Sequence, residues 1–101
     1  MMSEKYRNLL LRLLEDEMIV SSWGISNITI SEPKLSFNVD GFKYHGEVTI
    51  DALDESQYNV YLNGESVGRF KLNDLVPYLD RMIELSDSEY QKLFNQLFNN
   101  K

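Results

Sequence analysis

The chain has 101 residues, of which 43% are hydrophobic and 26% are charged, a composition typical of a globular protein rather than of a disordered or fibrous one. It contains no cysteine, which excludes disulfide bonds and thiol catalysis. Sixteen acidic residues against ten basic ones give a net charge of −6, which disfavours direct binding to nucleic acid. Residues 1–101 are therefore predicted to form a single acidic domain.

The N-terminal residues lack the pattern of a targeting or membrane segment. Arg12 interrupts the leucines around it, and no stretch approaches the roughly 18 apolar residues that a membrane helix needs. We therefore expect a cytoplasmic protein that does not contact a membrane.

An amphipathic helix is predicted over residues 3–18, with Ser3 as its N-cap. The apolar side chains recur with the 3.6-residue period of a helix, at Tyr6, Leu9, Leu10, Leu13, Leu14 and Met18. Leu11 broadens this stripe, which indicates contacts on two sides of the helix. Trp23, which follows the helix, is expected to close one end of the core.

From Ile25 to Leu72 the apolar period changes to two, which predicts five antiparallel strands joined in a meander. Asp40-Gly41 is typical of a two-residue type I′ turn, and such a turn would place Val39 opposite Phe42 on the buried side. This register leaves the outer face of the sheet polar.

The outer face of the sheet carries a predicted interaction surface formed by His45, Glu47 and Tyr61. The register places His45 opposite Ser36, and Tyr61 alternates out of phase with the core residues of its strand. Exposed aromatic residues are common contact anchors. Because His45 is the only histidine, any imidazole catalysis would also depend on it.

Asn63-Gly64 predicts a second type I′ hairpin, with Val60 opposite Val67 and a β-bulge at Gly68. Residues 64–68 of the same segment read Gly-x-Ser-x-Gly, the pattern of the nucleophile elbow in serine hydrolases. An elbow joins a strand to a helix, whereas a hairpin joins two strands. The two glycines are therefore interpreted as turn and bulge residues.

Two helices are predicted at the C-terminus. Asp74 is the expected N-cap of the first, which puts Pro77 at its third position, and Ser86-Asp87-Ser88-Glu89 forms a capping box for the second. The sequence thus predicts an α+β fold in two layers. It consists of an N-terminal helix, a five-stranded antiparallel meander and two C-terminal helices packed on one face of the sheet.

Metal and cofactor sites find little support in the sequence. The carboxylates Asp51, Asp54 and Glu55 cluster in the longest connection, but their spacing lacks the glycine and the alternation of a calcium loop. One histidine is too few for a closed zinc site of four ligands. We therefore predict no metal, no cofactor and no catalytic residue.

The last helix carries the cleanest apolar stripe in the chain, at Tyr90, Leu93, Phe94, Leu97 and Phe98. One face of a five-stranded sheet has room for roughly two helices at 8–10 Å spacing, and three helices compete for it. Leu93, Phe94, Leu97 and Phe98 are therefore predicted to form an association surface. A symmetric homodimer is its simplest assembly.

Three functional hypotheses follow. The first is a small non-enzymatic protein-interaction module, adaptor-like or chaperone-like, that binds an unidentified protein through the outer sheet face or the last helix. The second is an acidic inhibitor or nucleic-acid mimic that occupies a basic site on another protein, although the acidic residues are evenly dispersed. The third is a small enzyme that uses His45, which the lack of a second histidine disfavours.

Overall fold

The computed structural model describes residues 3–52, 57–84 and 87–99. Its elements are, in chain order, α1 Glu4–Glu15, α2 Glu17–Val20, a 3-10 turn Ser21–Trp23, β1 Ser26–Ser31, β2 Lys34–Asp40, β3 His45–Asp51, β4 Tyr58–Leu62, β5 Glu65–Phe70, α3 Leu72–Ile83 and α4 Asp87–Asn99. The strands form one antiparallel sheet in the order β1-β2-β3-β4-β5. The predicted α+β fold and the five-stranded meander are confirmed.

The core lies between one face of the sheet and the helices α1 and α3. The strands contribute alternate residues to it, as the period of two predicts. The buried side chains of the two helices are Tyr6, Leu9, Leu75, Val76, Leu79 and Ile83. Trp23 is fully buried beside them, and its indole Nε1 donates a hydrogen bond to Asp80 Oδ1 at 2.9 Å. The prediction that Trp23 belongs to the core is confirmed.

Ser3 caps α1 as predicted, because its Oγ accepts a hydrogen bond from the backbone N–H of Tyr6 at 3.2 Å. The helix ends at Glu15, earlier than the predicted residue 18, and residues 17–20 form the separate short helix α2. Acidic side chains at positions 15–17 oppose the helix dipole at this end, which explains the early end of α1.

The predicted type I′ turn at Asp40-Gly41 is wrong. Asp40 pairs with His45, so residues 41–44 form a four-residue loop. Contacts with α3 account for the difference, because the backbone N–H of Lys43 donates to the carbonyl of Ile83 at 2.8 Å. A tertiary contact thus overrides the local turn preference of the Asp-Gly pair.

The longer loop changes the strand pairing. Val39 lies opposite Gly46 rather than Phe42, and Ser36 lies opposite Thr49 rather than His45. Because the register moves by four residues, an even number, the residues that remain in β3 keep their predicted face. Phe42 falls in the loop instead and is exposed.

The Asn63-Gly64 hairpin is confirmed, since both residues have positive φ, at 51° and 83°, as a type I′ turn requires. The bulge in β5 falls one residue before the predicted one. Val60 therefore pairs with Gly68 rather than with Val67.

α3 begins earlier than predicted, at Leu72 with Lys71 as N-cap. The prediction of Asp74 as N-cap is wrong because its backbone N–H already closes a helical turn onto the carbonyl of Lys71, at 2.9 Å. Pro77 consequently lies inside the helix rather than at its third position. Part of the predicted capping box and part of the acidic cluster, namely Ser86, Asp54 and Glu55, lie outside the described residues.

α4 extends away from the sheet. The molecule measures 59 × 22 × 22 Å, and a helix of this length accounts for about 20 Å. Tyr90, Phe94, Leu97 and Phe98 are exposed, whereas the apolar residues of α1 and α3 nearest the sheet are buried.

Candidate interaction groove

An apolar groove with a volume of about 620 Å³ runs between α1 and the edge strand β1. Leu10, Leu13 and Leu14 of α1 line one wall, and Ile28 and Ile30 of β1 line the other. The remaining lining residues are Glu17, Val20, Ser21, Ile25, Leu35 and Phe37, of which only Glu17 and Ser21 are polar. This feature is named the α1–β1 groove.

The groove exists because the two helices on the inner face are held over the other strands. The hydroxyl of Tyr58 in β4 donates to the carbonyl of Lys5 at 2.8 Å, which fixes α1 above the middle of the sheet. α3 lies over the far edge, where Tyr78 stacks on Phe70 of β5 with ring centroids 4.2 Å apart. All six residues of β1 remain exposed.

The walls of the groove expose more apolar surface than a covered sheet face would. Ile28 and Ile30 are each 60% exposed and Leu14 is 65% exposed. Ile30 lies directly opposite Leu35, which is buried, so the boundary between covered and open sheet runs between β1 and β2. This part of the inner sheet face is therefore left open by the described helices.

The shape of β1 disfavours the addition of a further strand at its edge. Between Ser26 and Thr29 the strand contains one residue more than β2, and Asn27 has a positive φ of 51°. Such a bulge disrupts the regular hydrogen-bonding edge that an added strand needs. The apolar walls stand on the face of the sheet instead, where a helix fits.

α4 presents the second large apolar surface. Its exposed side chains share one stripe, and the rings of Phe94 and Phe98 contact each other with centroids 4.5 Å apart. Leu93 is half-buried in this stripe. The five residues Tyr90, Leu93, Phe94, Leu97 and Phe98 are named the α4 stripe.

Lys43 attaches the first turn of α4 to the body of the protein. Its Nζ lies 2.6 Å from a carboxylate oxygen of Glu89 and donates to the carbonyl of Arg81 at 2.9 Å. These contacts hold the start of α4 against the β2–β3 loop.

The outer face of the sheet places the predicted residues Glu47 and Tyr61 on neighbouring strands, where Tyr61 pairs with Thr49. His45 lies at the end of β3, and its Nδ1 is 2.7 Å from Asp40 Oδ1, with both side chains well exposed. His45 follows the loop whose Lys43 contacts Glu89 in the first turn of α4, whereas Glu47 and Tyr61 lie within the sheet.

Two tyrosines with shifted pKa values fasten α1 to the sheet. The hydroxyl of Tyr6 donates to the carbonyl of Lys34 at 3.0 Å. Burial raises the pKa of Tyr6 above its usual value, and nearby Glu32 raises it further. Burial also raises the pKa of Tyr58. Neither tyrosine lines the groove.

The Gly-x-Ser-x-Gly segment has the hairpin setting that the sequence predicts. Gly64 lies in the β4–β5 turn, and Ser66 lies exposed on β5 opposite Tyr61. The segment does not lead into a helix until Leu72, so it lacks the strand-to-helix turn of a nucleophile elbow.

The groove is the feature that sequence reasoning missed. The period of two assigns Ile28 and Ile30 to the inner face, which they occupy, but it does not indicate which part of that face the helices cover. Leu11 and Leu14, both included in the broad α1 stripe, line different hollows: Leu11 lines a shallow one with Leu72, and Leu14 lines the groove. In the sequence, the width of the apolar stripe on α1 was the signal that pointed to the groove.

Comparisons of the chain with protein-family models, with characterised proteins and with solved structures find no match. Among residues 3–52, 57–84 and 87–99, no helix has the length and apolar character of a membrane span. The same ranges contain no group of three or more His, Asp or Glu side chains placed to bind a metal ion. The α1–β1 groove and the α4 stripe are therefore the features on which a function can be based.

Proposed function

We propose that this protein is a non-enzymatic interaction module that binds an amphipathic helix of a protein partner in the α1–β1 groove. The observation that carries the proposal is the open apolar lining of that groove, with Leu14, Ile28 and Ile30 mostly exposed. Helix-in-groove recognition uses apolar anchors spaced at i, i+3, i+4 and i+7. Such a ligand would complete the helical layer over β1.

The groove also favours a helix with few acidic residues on its flanks. The chain carries a net charge of −6, and Glu17 is one of the two polar residues in the groove lining. An acidic helix would therefore meet like charge at the rim, which costs affinity and slows association.

The test is an NMR titration of the full chain with a designed amphipathic peptide that carries leucines at i, i+3, i+4 and i+7. The chain carries Phe94→Glu and Phe98→Glu so that its own apolar helix does not compete. We expect saturable shift changes at the amides of Leu14, Ile28 and Ile30. A control peptide with serines at the four positions should produce none.

A matched pair of substitutions on α1 locates the binding surface. Leu14→Glu, on the groove wall, should abolish the shift changes, whereas Leu11→Glu, which lies outside the groove lining, should leave them unchanged. Both positions are exposed and lie three residues apart on the same helix. Equal effects of the two substitutions, or no saturable change with either peptide, would overturn the proposal.

A further inference from the structure

We infer that the helix bound in the α1–β1 groove is α4 of a second copy of this chain, and that the two copies exchange α4 reciprocally in a two-fold dimer. This inference rests on the proposed function and names its partner. Each chain carries one open apolar groove and one projecting apolar helix. In a reciprocal exchange the groove and α4 of both copies are occupied, so the assembly is closed. In a head-to-tail exchange one groove and one α4 would stay free at the ends, and further copies would extend the assembly into a filament.

The lengths of the two surfaces agree. α4 has 13 residues, and its stripe spans Tyr90 to Phe98, which corresponds to about 12 Å along the helix axis. The β1 wall of the groove runs from Ile28 to Ile30, and Ile25 continues the lining before the strand. The five steps from Ile25 to Ile30 span at most about 16 Å, less the shortening by the bulge at Asn27, so the groove lining is comparable in length to the stripe.

The charge of α4 suits an acidic partner. Residues 90–99 contain one lysine and no acidic residue, although the chain as a whole has a net charge of −6. Glu89, just before this segment, is engaged by Lys43 of its own chain. The stripe can therefore approach Glu17 at the groove without like-charge repulsion.

Two helix-groove contacts, rather than one, are needed to bury the area of a specific protein–protein interface. Tyr90, Phe94 and Phe98 are 60%, 46% and 62% exposed, which leaves about 300 Å² of aromatic surface to bury. The exposed aliphatic residues of stripe and groove add about as much again. Covering all of this surface would bury at most about 600 Å² in one helix-groove contact and at most about 1,200 Å² in two, and only the second value reaches the lower limit of a standard specific interface.

The attachment of α4 favours exchange between copies over closure within one chain. Lys43 holds Glu89 and the carbonyl of Arg81, so the first turn of α4 would have to leave the β2–β3 loop before the helix could fold back. Binding of the stripe to a second copy leaves these contacts of Lys43 in place.

The first experiment is sedimentation of full-length variants. The helix variant carries Phe94→Glu and Phe98→Glu, and the groove variant carries Leu14→Glu and Ile28→Glu. The wild-type chain should dimerise, and either variant should weaken dimerisation by more than about a hundredfold because each substitution acts at both contacts. Leu11→Glu, which lies on α1 outside the groove lining, should dimerise like the wild type.

The second experiment mixes the two variants. The ¹⁵N-labelled helix variant keeps an intact groove, and the unlabelled groove variant keeps an intact α4. Their mixture should restore one of the two contacts and shift the amides of Ile28 and Ile30 in the labelled chain. The heterodimer should be weaker than the wild-type dimer by more than about tenfold. If the double substitutions unfold the chain, Leu97→Glu and Leu14→Glu alone, at positions 70% and 65% exposed, replace them.

Three results would overturn the inference. A monomeric wild type excludes exchange between copies. A groove variant that dimerises like the wild type indicates that two α4 helices pair with each other, and a silent mixture excludes contact between α4 and the groove. If the wild type is monomeric while the designed peptide still binds, the proposed helix-binding function stands and the exchange of α4 between copies is excluded. If the wild type is monomeric and the peptide does not bind, both hypotheses are excluded.

Discussion

Gly41 lies so close to Ile83 that a Cβ added to the glycine would come within 2.2 Å of Ile83 Cγ2 and within 2.5 Å of its carbonyl oxygen. Gly41 is therefore present because α3 packs against its backbone, not because a turn requires a positive φ. The contact closes the end of the core where the β2–β3 loop meets the C-terminus of α3.

Gly41→Ala should destabilise the fold by about 1–3 kcal/mol, because the added methyl group overpacks a buried contact. Urea denaturation followed by Trp23 fluorescence measures the loss. Removing Cγ2 with Ile83→Ala relieves part of the clash, so the double variant should be less destabilised than the sum of the two single variants. Strict additivity would contradict the close packing.

The same glycine explains why the sequence predicted the faces of the sheet but not its pairing. Alternation of apolar residues within β2 places Leu35, Phe37 and Val39 on the inner face. The residues of β3 also keep their predicted face, because the observed register differs from the predicted one by an even number of residues. The loop length itself depends on α3, which is distant in sequence. A local Asp-Gly pattern contains no information about that contact.

Asp80→Ala should destabilise the protein by about 1–3 kcal/mol, because it leaves the buried indole N–H of Trp23 without its acceptor. Asp80→Asn keeps an acceptor oxygen and should cost less. Chemical denaturation of the two variants gives the difference. Equal losses for both would show that the carboxylate charge, rather than the hydrogen bond, stabilises this end of the core.

Stability should decline at alkaline pH, in part through Tyr6. Burial raises the pKa of Tyr6 in the folded chain above its usual value of about 10. The unfolded chain therefore ionises this tyrosine first, so its contribution is fully present below about pH 10 and is lost as pH rises through the folded pKa. Tyr6→Phe should show a shallower decline of unfolding free energy above that pH.

Tyr6→Phe also removes the hydrogen bond to the carbonyl of Lys34, which should cost about 0.5–1.5 kcal/mol at neutral pH. Tyr61→Phe, on the outer face of the sheet, serves as the control with the same chemical change. Parallel pH profiles for the two variants would contradict a special role for Tyr6.

The candidate site shows a different limit of sequence reasoning. The apolar stripe of α4 could be predicted together with its exposure, because periodicity and the number of helices competing for one face are both present in the sequence. The α1–β1 groove could not, because it depends on where α1 crosses the sheet. Hydrogen bonds such as that from Tyr58 to the carbonyl of Lys5 determine this position, and they join residues far apart in the chain.

Ile30 and Leu35 pair across β1 and β2, yet Ile30 is 60% exposed and Leu35 is 3% exposed. In a monomeric chain carrying Phe94→Glu and Phe98→Glu, Leu35→Ala should lower the free energy of unfolding by about 2–5 kcal/mol. Ile30→Ala should lower it by less than about 1 kcal/mol, because its side chain already contacts water. In the wild-type chain the cost of Ile30→Ala should grow with protein concentration, as expected if a second copy covers the groove. Urea denaturation at several concentrations measures both effects, and equal costs at the two positions in the monomer would contradict an open groove.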